Sequence, residues 1–119
     1  MTIQHLPIKS IGKIKIVPVD AIVYIKGASN YLEVHTESCM YLHRAVLQNL
    51  ADDLEHSDFV RIHRSVLINL THLEQITSEL GRYSIAQMSN GHEVRIGNSY
   101  RDQFFKRLGI YATDLAQHA

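Results

Sequence analysis

The chain has little cysteine and no long apolar run. Cys39 is the single cysteine among 119 residues, so an internal disulfide is excluded, as is typical of a cytoplasmic protein. No stretch reaches the roughly 18 apolar residues that a membrane helix needs. The start of the chain also lacks the basic segment, apolar run and cleavage site of a secretory signal. We therefore expect a cytoplasmic location and no membrane partner. Because Cys39 lies in an apolar run, we expect a packed, unreactive thiol.

Net charge is also absent, because 12 Lys and Arg residues balance 12 Asp and Glu residues. DNA-binding domains are usually basic, so this balance by itself argues against a nucleic-acid partner. The charges are unevenly distributed, however. One short stretch carries four acidic residues, Asp52, Asp53, Glu55 and Asp58, while the arginines lie elsewhere. A folded chain can therefore separate an acidic side from a basic side.

Catalytic and metal-binding motifs are missing too. The eight histidines contain no pair with H-x3–5-H spacing and there is no second cysteine, so a structural zinc site is not expected. The G-x-x-x-x-G-K-[ST], G-x-S-x-G and H-E-x-x-H motifs do not occur. A nucleophile pair of Cys39 with His35 or His43 is disfavoured by the apolar surroundings of the cysteine. We expect no enzyme activity, no cofactor and no metal.

The sequence contains mostly strand signals. Its length fits one domain over residues 1–119, with a core at about 8–109 and a loose tail at 110–119. Residues 22–25 are β-branched and aromatic, and Tyr31–Thr36 alternates between apolar and polar side chains. Short strands therefore dominate the predicted structure.

A hairpin is predicted near the C-terminal end. Asn90-Gly91 separates two alternating runs, a pattern that predicts a type I′ turn with positive φ at both central residues. In the run before this turn, the alternation leaves open whether Ile85, or instead Ala86 and Met88, faces the core.

Two stretches have helical periodicity. The first presents leucines on one face: Leu47, Leu50 and Leu54. The second presents aromatic and apolar residues on one face: Tyr100, Phe104 and Leu108. Ser99 with Asp102 three residues later predicts a capping box at the start of the second helix, and Gly109 predicts its end.

The most specific stretch is residues 59–69, which read F-V-R-I-H-R-S-V-L-I-N. This stretch resembles the F-x-R-x-H-R-S-x-x-x-N segment of the LytTR family of bacterial DNA-binding domains. Other features of that family follow the same order here. They are an I-x-Y-I strand at 22–25, an N-Y step at 30–31, spaced leucines, an N-G hairpin at 90–91 and a final helix beginning near S-Y at 99–100. The ordered match covers about residues 14–108.

The resemblance implies a mainly β fold, an elongated stack of small, mostly antiparallel sheets (a LytTR-like β-β-β sandwich) with one or two short helices. It implies a bacterial transcriptional regulator of the response-regulator type, belonging to a two-component system. Such a domain binds double-stranded DNA through loops that enter successive major grooves. The implied partners are repeated promoter sites and a receiver or sensor domain, with weak or DNA-dependent self-association.

The resemblance also suggests site residues. Arg64 is the first candidate for base contact, because a guanidinium can bind guanine O6 and N7 together. The further base-contact candidates are Asn30, Tyr31, Asn98 and Ser99. The phosphate-contact candidates are Lys26, Arg44, Arg61, Ser65, Arg95 and Arg101. Structural roles are expected for His63, which would support the turn before Arg64, and for Asn69.

Several of these residues have ordinary alternative roles. Asn30 can simply close a turn and Tyr31 can simply pack, while Arg61 can pair with Asp58. One departure from the family pattern concerns the third contact region. The family commonly has Ser-Arg before the final helix, whereas this chain has Asn98-Ser99, so an arginine is missing and a changed site preference is expected.

The alternative function is a non-catalytic protein–protein interaction module on the same β fold, which the zero net charge favours. The two functions differ in their response to salt. A DNA-binding domain loses affinity steeply as the salt concentration rises. An interaction module would not bind duplex DNA even at low salt.

Overall fold

Strands make up most of the regular structure in the computed structural model, which describes residues 3–111. Within that range lie ten strands: β1 His5–Ser10, β2 Lys13–Pro18, β3 Ile22–Ala28, β4 Tyr31–Thr36, β5 Met40–His43, β6 Phe59–His63, β7 Val66–Asn69, β8 Leu73–Glu79, β9 Arg82–Met88 and β10 Glu93–Arg95. The helices are α1 Leu47–Asp53 and α2 Asn98–Arg107. Single turns of 3-10 helix precede β3 and β8, at Val19–Ala21 and Leu70–His72.

The strands form three antiparallel sheets. The central sheet has five strands in the order β5-β4-β3-β7-β6. The other two are a two-stranded sheet, β1-β2, and a three-stranded sheet, β10-β9-β8. The molecule is elongated, with principal extents of 54 × 28 × 23 Å. The expected fold class is therefore confirmed: an elongated, mainly β stack of small antiparallel sheets with two short helices.

The central sheet packs against other elements on both faces, and successive side chains of its strands point to opposite sides. One face packs against β1, β2 and α1 in an apolar cluster that contains Phe59. The other packs against β9, β10 and α2 in a second cluster that contains Ile62, Val66 and Ile68. In β9, Ala86 and Met88 are buried and Ile85 is partly exposed, which resolves the alternative left open by the alternation.

The predicted hairpin at Asn90-Gly91 is confirmed, but its predicted turn type is wrong. The N–H of Met88 donates to the carbonyl of His92 (2.9 Å), and the N–H of Gly91 donates to the carbonyl of Met88 (3.0 Å). Of the two central residues only Gly91 has positive φ, at +86°. Three residues, 89–91, thus lie between the hydrogen-bonded Met88 and His92, in a tight turn closed by a left-handed glycine.

The predicted capping box at Ser99 is also wrong. The N-cap of α2 is Gly97, and no side chain caps the helix. Gly97 is fixed there because its N–H donates to the carbonyl of Ile62 in β6 (2.7 Å). This tertiary contact starts the helix earlier and leaves Ser99 inside the first turn. The predicted end is confirmed, since Gly109 has φ +76° and its N–H donates to the carbonyl of Lys106 (3.0 Å).

Two further expectations need correction. Cys39 is exposed rather than packed, because it follows β4 in the short connection to β5. The core also begins earlier than expected, since β1 contributes the buried Leu6. Of the expected loose tail, residues 112–119 lie outside the described residues, whereas Ile110 is half-buried and packs against the second apolar cluster.

Candidate nucleic-acid interface

Three chain segments meet at one end of the central sheet. Antiparallel pairing brings together the β3–β4 loop, the end of β5 and the β6–β7 turn, because Ala28 pairs with Tyr31 and Lys26 pairs with Val66. The N–H of Gly27 extends the pairing by donating to the carbonyl of Ser65 (2.8 Å). We call this region the loop end of the sheet. It contains most of the predicted site residues.

The β6–β7 turn is tight and internally braced. Arg64 and Ser65 connect the two strands, and the turn begins from the fully buried Ile62. The Nδ1 atom of His63 accepts the N–H of Ser65 (3.2 Å) and lies 2.9 Å from its hydroxyl oxygen. Because a backbone N–H can only donate, Nδ1 is an acceptor and the ring proton is on Nε2. His63 thus holds the turn, while Arg64 is exposed.

A groove of about 760 Å³ runs beside this turn. It joins the turn to the β3–β4 loop and the residues after β5, and the polar residues that line it are Ser29, Asn30, Arg44, Arg64 and Ser65. Four of these five are predicted site residues. The guanidinium of Arg44 also lies over the ring of Tyr31, 6.0 Å from its centroid. One base-contact candidate, Asn30, therefore lines the same groove as another, Arg64.

A smaller groove of about 190 Å³ lies on the other side of the turn. Lys26, Ser65 and Arg95 line it together with Glu93. Arg95 is exposed and pairs with Glu79 at 3.1 Å. An exposed pair of this kind is worth less than about 1 kcal/mol, so its arginine remains available to another anion. Three predicted phosphate contacts, Lys26, Ser65 and Arg95, thus line this groove together.

The N-terminus of α2 packs against the turn. Besides the bond from Gly97 to Ile62, the position that a Cβ would take on Gly97 is 3.3 Å from Cδ2 of His63. The two predicted base contacts of the third region, Asn98 and Ser99, are exposed in the first turn of this helix. The third predicted region therefore adjoins the loop end.

Other predicted residues have different surroundings. The guanidinium of Arg101 lies 5.0 Å from the ring centroid of Phe105, and burial followed by the nearby charge of Arg82 lowers the pKa of Arg101. Asn69 is buried, donates to the carbonyl of Ile22 (3.0 Å) and accepts the N–H of Thr71 (3.1 Å). Asn69 thereby joins β7 to the start of β3, away from the loop end.

Arg61 does not form the alternative pair with Asp58. Its guanidinium instead donates to Gln48 (2.7 Å) and to the carbonyls of His63 (3.4 Å) and Arg64. Its neighbour in space is Tyr100, whose ring centroid is 5.9 Å away. The partly buried Arg61 side chain therefore contacts the backbone of the turn.

The alternative chemistries receive no geometric support from the described residues. Within residues 3–111, no three or more His, Cys, Asp and Glu side chains are grouped to hold a metal. Cys39 hydrogen-bonds Thr36, and His35 hydrogen-bonds Glu33 (2.9 Å). Neither side chain is therefore bonded to the other as a nucleophile and its base would be. Neither described helix is long and apolar enough to cross a membrane.

The LytTr DNA-binding domain family matches residues 12–109 of this chain. The chain belongs to this family. A solved LytTr domain supports the assignment: the LytTr DNA-binding domain of a putative methyl-accepting/DNA response regulator from Bacillus cereus is 27% identical. It superposes with a TM-score of 0.79, covering 90% of this chain and 98% of that one.

The chain also matches parts of longer proteins. The chain is 25% identical over 107 residues to the transcriptional regulatory protein LytR of Staphylococcus aureus (strain N315). It is 27% identical over 108 residues to the sensory transduction protein LytT of Bacillus subtilis (strain 168). Each match covers 90% of this chain but 44% and 45% of the relative, so the chain spans less than half the length of these relatives.

Sequence reasoning did not find every residue at the loop end of this LytTr domain. Ser29 lines the larger groove and has φ +59°, in a region that only glycine enters without cost. Its position in the Gly-Ala-Ser-Asn loop could have marked it as a candidate site residue, since strained loop residues concentrate at functional sites. No sequence pattern indicated that Gln48 and Tyr100 contact Arg61 beside the turn, because these contacts depend on how the helices pack.

Proposed function

We propose that this LytTr domain binds duplex DNA in a sequence-specific way, with the loop end of its central sheet in the major groove. The observation that supports this most is that Arg64 and Asn30, which are distant in sequence, line one groove. The major groove is about 12 Å wide and presents a distinct pattern of donors and acceptors for each base pair. Exposed side chains on short, braced loops can read that pattern.

The base-reading roles follow from side-chain chemistry. Arg64 would bind O6 and N7 of a guanine, and Asn30 would bind N6 and N7 of an adenine. Tyr31 is 43% exposed, and its hydroxyl would reach a base edge next to Asn30. Asn98 and Ser99 would supply a second, weaker set of contacts from the start of α2.

Phosphate contacts would come from three cations around these loops, Lys26, Arg44 and Arg95, and from Arg101 on α2. Ser65 would add a hydroxyl donor from the turn itself. The first N–H groups of α2 provide a further anion site, because the N-terminal end of a helix favours negative charge. Such contacts orient the protein on the duplex, while the base contacts determine the sequence.

Regulation of transcription is the biological role that we propose for this binding. Support comes from relatives named as a transcriptional regulatory protein and a sensory transduction protein. The partners that we propose are repeated promoter sites, a receiver or sensor domain, and weak self-association on DNA. The protein itself would not be an enzyme.

Selection of bound sequences from random duplex DNA tests this function. Enrichment of a repeated short motif is the expected result. The salt dependence of the selected complex gives an independent check, since four neutralising cations predict a log–log slope of about −3.6. An absence of enrichment, combined with no duplex binding at low salt, would refute the proposal.

A protein–protein interaction module remains the second candidate, because this chain exposes large apolar side chains on two strands. Ile14 and Ile16 of β2 are 56% and 54% exposed, and Leu42 of β5 is 54% exposed. Exposed apolar residues of this size can mark a protein interface. None of the three lines either groove at the loop end, so both functions are physically compatible.

A further inference from the structure

The side chain of Arg61 is directed at the backbone of the β6–β7 turn. Its Nη2 group donates to the carbonyl of Arg64, and its Nε group donates to the carbonyl of His63 at 3.4 Å. Both acceptors belong to the turn that presents Arg64. Because carbonyl orientation determines the backbone dihedrals on either side, these two bonds restrict the direction in which the Arg64 side chain leaves the turn.

Arg61 is itself held from two helices. Its Nη1 group donates to Oε1 of Gln48 in α1 (2.7 Å), and Nε2 of Gln48 donates to Asp52 one turn later (2.9 Å). On the α2 side, the ring of Tyr100 lies 5.9 Å from the guanidinium carbon. All three nitrogens of the guanidinium therefore have a protein acceptor.

We propose that Arg61 is a positioning residue that fixes the β6–β7 turn so that Arg64 meets its base in one orientation. This inference rests on the proposed function and reassigns Arg61 from the phosphate contacts. A planar guanidinium can donate to two carbonyls and a side-chain amide oxygen at once, because its donors are spread over three nitrogens. A lysine ammonium donates from a single nitrogen. Binding groups need to be held within roughly 0.5 Å of their productive position, and the bonds from the guanidinium would supply that restraint here.

The two possible roles of Arg61 give opposite results in DNA binding. A phosphate contact adds about 0.9 to the magnitude of the salt slope and is indifferent to sequence. A positioning residue leaves the salt slope unchanged, and its loss reduces discrimination at the base that Arg64 reads. Its effect also disappears once Arg64 is removed, because it acts through that side chain.

The experiment compares Arg61→Lys, Arg61→Gln, Arg64→Ala and the double variant R61K/R64A in the full chain. Affinity is measured for the selected duplex, and for duplexes that differ at the base pair sensitive to Arg64→Ala, over a range of salt concentrations. Lys26→Ala serves as the control for a phosphate contact. Circular dichroism and thermal melting confirm that each variant is folded.

The expected result is that Arg61→Lys and Arg61→Gln both lower discrimination at that base pair, by up to the roughly 5- to 150-fold that one bidentate contact supplies. Both keep the wild-type salt slope, whereas Lys26→Ala reduces its magnitude by about 0.9. The double variant discriminates no worse than Arg64→Ala alone. Gln48→Ala, on the exposed side of α1, reproduces a smaller part of the Arg61 effect.

Three outcomes would overturn the inference while leaving DNA binding intact. In the first, Arg61→Gln reduces the salt slope and keeps discrimination. In the second, the effects of Arg61→Lys and Arg64→Ala are additive. In the third, Arg61→Lys lowers discrimination equally at base pairs that do not respond to Arg64→Ala. A wild-type domain that selects no sequence would instead refute the proposed function, and with it this role.

Discussion

Gly97 gives the most structure-dependent prediction, because it lies where α2 meets the β6–β7 turn. A Cβ at this position would be 3.3 Å from Cδ2 and 3.5 Å from Cα of His63, and 3.4 Å from the ring of Tyr100. The imidazole cannot easily move away, since its Nδ1 is bonded to Ser65 on the opposite side. Overpacking against fixed neighbours costs about 1–3 kcal/mol, so Gly97→Ala should destabilise the domain by that amount.

The matched control is Gly27→Ala, at the other glycine that borders the turn. Its Cβ would be 3.8 Å from the carbonyl oxygen of Ser65, an ordinary van der Waals distance. An unstrained glycine-to-alanine change reduces the entropy of the unfolded chain, so stability should stay equal or rise by about 0.4–1 kcal/mol. The two variants make the same chemical change; they differ in the space available and in position, since Gly97 is the N-cap of α2 and Gly27 lies in β3.

Urea denaturation measures both variants. We expect a lower midpoint for Gly97→Ala at an unchanged m value, and weaker binding to the selected duplex because the turn shifts. Equal midpoints for Gly97→Ala and the wild type would show that His63 moves freely. That result would refute the view that α2 and the turn are rigidly joined.

Three further predictions concern single residues. Arg64→Ala should weaken specific DNA binding by about 1–3 kcal/mol without changing the thermal midpoint, and unchanged discrimination in a binding titration would exclude it as a base contact. Asn69→Ala should cost about 1–3 kcal/mol in urea denaturation, because the buried carbonyl of Ile22 loses its donor; a loss below about 0.5 kcal/mol would contradict this. The hydrogen bond with Thr36 lowers the pKa of Cys39, so iodoacetamide should alkylate Cys39 faster at neutral pH than an unstructured cysteine peptide, and Thr36→Val should slow the reaction. Equal alkylation rates for the wild type and Thr36→Val would show that this hydrogen bond does not control the reactivity of the Cys39 thiol.

Local patterns predicted those features of the fold that depend on local chemistry. The alternation of Tyr31–Thr36 predicted β4 with its observed bounds, and Gly109 predicted the end of α2. The strand β1 was not predicted, since Leu6 and Ile8 are separated by a proline and reach the core only through pairing with β2. This segment is a strand because it pairs with β2, and not because its residues favour strand structure.

The candidate site was predictable as a set of residues but not as an arrangement. The family pattern suggested Arg64 and Asn30 as base-contact candidates, but nothing in the sequence indicated that they line one groove. The errors at Ser99 and Cys39 have a common origin in tertiary context. The bond from Gly97 to β6 starts α2 before Ser99, and an apolar run does not bury a residue that falls in a connection between strands.

The central position of β3 has a consequence for motion. This strand is paired on both edges, with β4 and β7, and it supplies Ile25 to one apolar cluster and Val23 to the other. Its amide groups can therefore reach water only when both clusters open together, so they should exchange hydrogen at the rate of global unfolding. The exposed β3–β4 loop at its end lacks such double cover, so its amide groups should exchange through local opening while the strand that carries it stays closed.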